Sequence, residues 1–328
     1  MVPLASWTIV MSCGVVSIDL SLDHQAVLSA ILQWFAAAVW LLLVALPAAP
    51  LAGQRDRFAR EATTPVALAA VAATAVLGTR LAQRGWPQAA GWPVAGAVLL
   101  ALAVAGWVAL LGPVLSHWQT PTTGTSFVAG VATDGLAVLG ATLAISYRAG
   151  WLAGAASVFL LLGLALYVFT LARFDRRQLL SGSGDHWVAG GALAISALSA
   201  ALVTKAAGAL GWFGPQHQLL RTGTLVLWCL ALAWLPVLIA GEVARPRPGY
   251  DIRRWATVFP LGMDAACSFA VGPVAGVAGI TGFGRVWTWV ALAATLLALA
   301  GLFRRVRGAW PQLRSQLRPR IRSRFRPG

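Results

Sequence analysis

The chain has 328 residues, of which 59% are apolar and only 11% are charged. A soluble domain carries about 25% charged residues, so a largely water-facing surface is excluded. The net charge of +15 has two interpretations: a surface that binds nucleic acid or anions, or an excess of arginine in loops on one side of a membrane.

Apolar runs long enough to cross a bilayer occur along most of the chain. A membrane helix needs about 20 mostly apolar residues, and backbone polar groups cannot stay unsatisfied in lipid, so such runs form helices. In chain order, the predicted spans are residues 3–20, 25–47, 65–82, 93–115, 126–147, 151–172, 187–209, 218–243, 255–272 and 284–303. We therefore predict an all-α integral membrane protein with ten transmembrane helices.

Odd-numbered and even-numbered spans differ in composition. Odd spans such as SFVAGVATDGLAVLG carry small and polar residues near the middle, whereas even spans such as SVFLLLGLALYVFTLA are bulkier. Small residues suit close helix packing or a water-accessible lining, and bulky ones suit lipid. We therefore expect five helical hairpins, with odd helices around an inner pore and even helices as an outer ring.

Several small or polar residues on the odd spans are candidates for the pore lining. Glycines at these positions could equally serve helix packing, and hydroxyls could bond to the carbonyls of their own helix. In the ninth span, Pro260 has no N–H for the carbonyl of Ala256, so a kink is expected there. The lining candidates are Gly14, Thr133, Gly135, Ser196 and Ser199.

The distribution of basic residues predicts the orientation. With both termini in the cytoplasm, most arginines fall in cytoplasmic loops and in a basic tail, residues 304–328, that follows the transmembrane domain, residues 1–303. Only Arg80, Arg84, Arg148, Lys205, Arg221 and Arg285 lie in or near the outer half. This bias favours a cell-membrane protein over a nucleic-acid binder. The cytoplasmic basic residues are Arg55, Arg57, Arg60, Arg173, Arg176, Arg177, Arg245, Arg247, Arg253, Arg254, Arg304, Arg305, Arg307, Arg314, Arg318, Arg320, Arg322, Arg324 and Arg326.

No spacing typical of a catalytic or metal site occurs in the sequence. The cysteines and histidines form no ligand cluster, so neither a metal nor a cofactor is expected. A membrane-embedded lipid-modifying enzyme would need acidic or histidine clusters at a membrane face, and the acids expected there are scattered, so we predict that the protein is not an enzyme. These acids are Asp19, Asp23, Asp56, Glu61, Asp175, Asp185 and Asp251.

Three segments resemble the tellurite-resistance/C4-dicarboxylate transporter family, which is related to slow-type anion channels and fungal malate and sulfite transporters. They are GVATDGLAVLG, GDHWVAGGALAISALSA and YDIRRWATVFPLGM, and the resemblance extends from Ser6 to about Phe303. It implies a five-hairpin barrel around a central pore, usually as a homotrimer in the lipid bilayer. It also implies that Phe259, beside Pro260, plugs the pore, and that the substrates are small anions such as dicarboxylates, sulfite, tellurite, halide or nitrate.

Two acidic residues depart from the family pattern. Asp134 lies eight residues into the fifth span and Asp264 nine residues into the ninth, so we expect both at nearly the same depth. A charge at the bilayer centre is costly. The pair could form a proton or cation site, could pair with Lys205 or an arginine, or could face water in a wide vestibule.

Because an ionised aspartate pair repels anions, the sequence favours a proton-linked anion carrier in which Asp134 and Asp264 carry the proton. A passive anion channel of the slow-type family is the alternative. Lys205, near the outer end of the seventh span, could instead attract anions to the outer mouth.

Overall fold

The computed structural model describes residues 4–45, 61–83, 92–180, 183–212, 217–247 and 249–324, with backbone alone from 309 to 324. Arg55, Asp56, Arg57, Arg60 and Arg84 lie outside the described residues. Ten long α-helices occur in the described ranges: α1 (Trp7–Leu22), α2 (Ala26–Ala45), α3 (Ala69–Ala82), α4 (Pro93–Ser116), α5 (Val128–Tyr147), α6 (Gly150–Ala172), α7 (Trp187–Ala209), α8 (His217–Ala244), α9 (Trp255–Ala275) and α10 (Ala278–Arg324).

Odd and even helices occupy different layers. In α3, α5, α7 and α9, between 78% and 89% of the apolar span is buried, against 17% to 33% in the even helices. The first helix, α1, is also mostly buried. Each odd helix packs against the even helix that follows it. The prediction of an all-α membrane fold with five hairpins, odd helices inside and even helices outside, is confirmed.

The five inner helices form a closed ring. In the ring, α1 contacts α3, α3 contacts α5, α5 contacts α7, α7 contacts α9, and α9 contacts α1. Outer helices also touch the next inner helix, and tryptophans mark three of these contacts. The indole N–H donates to a hydroxyl at 2.9 Å in each of the pairs Trp40–Thr74, Trp107–Thr133 and Trp228–Ser268. These tryptophans therefore join neighbouring helices inside the bundle. The amphipathic indole alone would predict a position at the membrane–water interface.

The predicted helix boundaries agree with the structure to within a few residues, except at the two ends of the chain. The first helix, α1, has only 16 residues and is preceded by a short 3-10 helix, Leu4–Ser6. The last helix, α10, begins at Ala278, six residues earlier than predicted, and its backbone stays helical through the basic tail to Arg324. Nine helical segments in the described residues are long and apolar enough to cross a membrane, and α1 is shorter.

Glycine brings the inner helices into close contact at two points. A Cβ at Gly14 would lie 2.7 Å from Val76 Cγ1, and a Cβ at Gly191 would lie 2.8 Å from Pro260 Cγ. Both distances are too short for a side chain, so these glycines set the α1–α3 and α7–α9 separations. The α9 helix continues through Pro260 and Pro273 without a break.

Candidate functional site at the centre of the ring

A narrow apolar cavity lies where the five inner helices meet. Its volume is about 20 Å³, roughly that of one water molecule, and nearly all the side chains around it are apolar. Each inner helix contributes two residues spaced three apart, which places them on one helix face. The cavity is lined by Val15 and Ile18, Val76 and Thr79, Gly135 and Val138, Ile195 and Leu198, and Met263 and Ala266.

Phe259 lies on the same face of α9 as the cavity-lining residues. It precedes Met263 by four residues and Ala266 by seven, so helical periodicity aligns the three side chains. Its side chain is only 2% exposed. The equivalent positions, four residues before the first lining residue on each of the other inner helices, are Met11, Ala72, Val131 and Gly191. We call these five residues the Phe259 layer.

Asp134 faces the outer ring rather than the cavity. Its carboxylate is fully buried, and Ser196 Oγ on α7 donates to Oδ2 at 2.5 Å. Ser199 Oγ donates to the main-chain oxygen of Asp134 at 3.0 Å. A Cβ at Gly163 on α6 would lie 2.6 Å from Asp134 Cγ, so the carboxylate fills the space above that glycine. Asp134, Ser196 and Ser199 therefore join α5, α6 and α7.

Asp264 is separated from Asp134, because α7 lies between α5 and α9 in the ring. Its neighbour is Asp19 on α1, which is close enough to interact with it electrostatically. The sequence predicts Asp19 at a membrane face; its side chain is fully buried within the bundle, near the end of α1. Within the described residues, neither carboxylate oxygen of Asp19 has a hydrogen-bond partner, and neither does Asp264 Oδ1.

The remaining predicted lining residues take different positions. Gly135 lines the cavity, and Gly14 packs against Val76. Thr133 Oγ1 donates to its own helix at Ala129 and accepts from Trp107 on α4, so it faces the outer ring. Lys205 is exposed near the end of α7, seven residues after Leu198 and on the same side of the helix.

A buried arginine follows a cavity-lining residue on α3, and no motif in the sequence points to it. Arg80 follows the lining residue Thr79, is fully buried, and donates from Nε and Nη2 to Ser29 Oγ at 3.3 and 2.9 Å. Ser29 in turn exchanges hydrogen bonds with Ser17 on α1. A lone arginine within an apolar span is itself a signal of function, and its bonds to Ser29 place this positive charge between α3 and the outer helix α2.

The fold and the axial cavity define a class of protein: a polytopic membrane protein whose five inner helices enclose a small axial cavity. The family model described as voltage-dependent anion channel (SLAC1) matches residues 1–303. The chain belongs to this family, which confirms the resemblance found in the sequence. The description of this family is that of anion channels.

Two relatives are uncharacterized membrane proteins of Mycobacterium tuberculosis, from strains CDC 1551 / Oshkosh and ATCC 25618 / H37Rv. Each is 31% identical to this chain over 117 residues. The match covers 33% of this chain and 57% of each relative, so the chain spans little more than half the length of these proteins.

Proposed function

We propose that small anions cross the membrane along the axis of the inner ring, and that the conformation described here is closed. The observation that carries the proposal is the axial cavity, to which all five inner helices contribute equivalent residues. A passage this narrow and apolar excludes a hydrated ion, because apolar constrictions close by dewetting. Opening then requires the inner helices or their axial side chains to move.

The substrate class is a small anion, inorganic or dicarboxylic. Buried Arg80, which donates to Ser29 of the outer helix α2, supports an anion over a cation, since it is a positive charge held inside the helical bundle. In this proposal both termini are cytoplasmic, the protein resides in the cell membrane, and three copies assemble with one pore each. A flux screen of chloride, nitrate, sulfite and a C4-dicarboxylate at two pH values, on protein reconstituted in vesicles, identifies the substrate.

Phe259 is the proposed gate. It is the largest side chain of the Phe259 layer, and Ala72 of α3, which does not neighbour α9 in the ring, is small, so the phenyl ring has room to occupy the axis. Truncation in Phe259→Ala removes that ring, and we expect anion flux to rise at least severalfold. Vesicle flux or planar-bilayer conductance measures the change.

Phe269→Ala is the matched control. Phe269 lies on the same helix and is also buried, but its ring packs against Gly284 of α10. Flux through this variant should stay near that of the parent protein. If the parent protein and Phe259→Ala show equal flux in a preparation that conducts, Phe259 is not the gate.

Proton-linked transport is the second candidate, and two buried acids that interact electrostatically, Asp19 and Asp264, favour it. Two such carboxylates cannot both carry charge cheaply, so the pair can take up and release one proton. In contrast, Asp134 is held by Ser196 and Gly163, which suits a structural role. The proposed proton-carrying residue is therefore Asp264, together with Asp19.

Asp264→Asn should abolish uptake driven by a pH gradient while leaving exchange without a gradient. Asp23→Asn is the control, since Asp23 follows the end of α1, outside the buried pair. Vesicle uptake, measured with and without an imposed pH difference, distinguishes pH-driven uptake from exchange in each variant. If Asp264→Asn keeps the full pH dependence, the pathway is a passive channel.

A further inference from the structure

A groove of about 810 Å³ lies at the arginine-rich end of the bundle, where the segment before α9 meets α10. Its position is distinct from the axis, because α10 belongs to the outer ring. The groove has an apolar floor and a basic rim. The floor includes Val258, Ala298 and Leu297, and Leu297 is 76% exposed on the outer surface.

The rim of the groove is basic. Arg254, Arg304 and Arg305 line it together with Tyr250. The Tyr250 oxygen accepts a hydrogen bond from Trp255 Nε1 at 3.1 Å, which leaves the hydroxyl hydrogen available to donate.

Nearby carboxylates neutralise only part of this charge. Arg254 pairs with Glu242 at 3.0 Å, and Glu242 also holds Arg247 at 2.6 Å. Asp251 is the other acid close by, and it influences Tyr250 electrostatically. Arg304 and Arg305 are exposed and make no ion pair with any part of the chain that the structure describes. Four arginines against two carboxylates leave the groove positive.

We propose that this groove binds one anionic phospholipid, with the phosphodiester at Arg304, Arg305 and Tyr250 and an acyl chain along Leu297. The arginine fork matches phosphate oxygens, and basic pockets between membrane helices suit lipid headgroups. The groove also lies where the apolar stretch of α10 gives way to arginines, the depth of a headgroup. The apolar floor favours a lipid over free phosphate.

Charge complementarity also favours a lipid over a second copy of this chain. The chain has 25 basic and only 10 acidic residues, so a second copy has little acidic surface to present to the rim. The groove wall includes Thr257 and Val258, immediately before Phe259. A bound lipid therefore touches the helix that carries the proposed gate, but lipid binding does not depend on whether the axis conducts.

Native mass spectrometry of the full chain in detergent tests the site, with phosphatidylglycerol and phosphatidylcholine as probes. We expect phosphatidylglycerol to be retained in preference to phosphatidylcholine. The double variant Arg304→Gln/Arg305→Gln should retain about tenfold less phosphatidylglycerol, or lower still, since each basic residue contributes separately to the binding free energy. Arg307→Gln is the control: it removes a charge from the same exposed end of α10, outside the groove.

A second variant distinguishes lipid binding in the groove from lipid binding by the positive charge of the surface as a whole. Ala300→Phe narrows the groove beside Arg304 and keeps every arginine, and we expect it to lose phosphatidylglycerol as the double variant does. The proposal is overturned if Arg307→Gln loses as much lipid as the double variant, or if Ala300→Phe retains it. Displacement by millimolar inorganic phosphate overturns it in favour of a free-anion site. A change in the oligomeric mass of Ala300→Phe overturns it in favour of a subunit contact.

Discussion

Gly163 on the outer helix α6 makes room for the buried carboxylate of Asp134. A methyl group in Gly163→Ala would lie 2.6 Å from Asp134 Cγ, so the carboxylate must leave its position and its hydrogen bond with Ser196. Overpacking and a lost buried hydrogen bond together cost about 1–3 kcal/mol. We expect a lower midpoint of thermal unfolding in detergent.

Gly154→Ala provides the comparison on the same helix. No atom lies within 4 Å of the Cβ that this substitution adds, so alanine should be neutral or stabilise α6 by about 0.5–1 kcal/mol. An equal loss of thermal stability in both variants would mean that α6 resists any methyl group, and Asp134 would not be the cause.

The sequence located the buried acids better than it located their partners. Depth along a helix can be counted from the start of a span, which is why Asp134 and Asp264 were expected inside the membrane. The direction of a side chain around the helix depends on which helices are neighbours, and only the closed ring shows that α7 separates the two. Asp19 was missed because it lies near the end of its span, where sequence alone cannot distinguish a buried acid from an exposed one.

At the level of elements, helix α7 approaches α9 at Gly191. In Gly191→Ala the added methyl would meet Pro260 at Cγ, 2.8 Å away, and at Cα, 3.1 Å away. A proline ring and backbone cannot rotate aside, so α7 and α9 must separate at a cost of about 1–3 kcal/mol. The expected result is a lower unfolding midpoint.

Gly190→Ala tests the same helix one residue earlier. Its methyl would meet Leu238 Cδ1 of α8, also at 2.8 Å, but a leucine side chain can change rotamer. The unfolding midpoint should therefore fall less than it does in Gly191→Ala. A larger loss at Gly190 would show that the α7–α8 contact, rather than α7–α9, limits stability.

Element boundaries were largely predictable because each apolar run ends in polar or helix-breaking residues. The length of α10 was not. Its apolar pattern stops at Arg304, but arginine is a good helix former, so the end of the membrane pattern does not end the helix. The predicted span starts at residue 284, whereas the helix begins at Ala278 and includes Gly279 and Gly282 in its first two turns.

At the scale of the whole molecule, all five inner helices contribute to one small cavity at the axis of the ring. The layering was predictable from the contrast between small-residue and bulky spans. The lining of the path was not, because most predicted polar residues turned out to join helices, and apolar residues line the cavity instead. Helix packing takes up hydroxyl groups that would otherwise be available to an ion.

If ions follow the axis, a hydroxyl placed there should ease their passage. Val76→Thr puts a hydroxyl in the cavity wall with almost no change in volume, and we expect anion flux to rise severalfold because a polar wall hydrates more readily. Val71→Thr is its match on α3: Val71 is also buried but faces Gly106 of α4. Both hydroxyls can bond to their own helix, so both variants should fold alike. Vesicle flux that rises equally in both, or in Val71→Thr alone, would place the conduction path outside the ring.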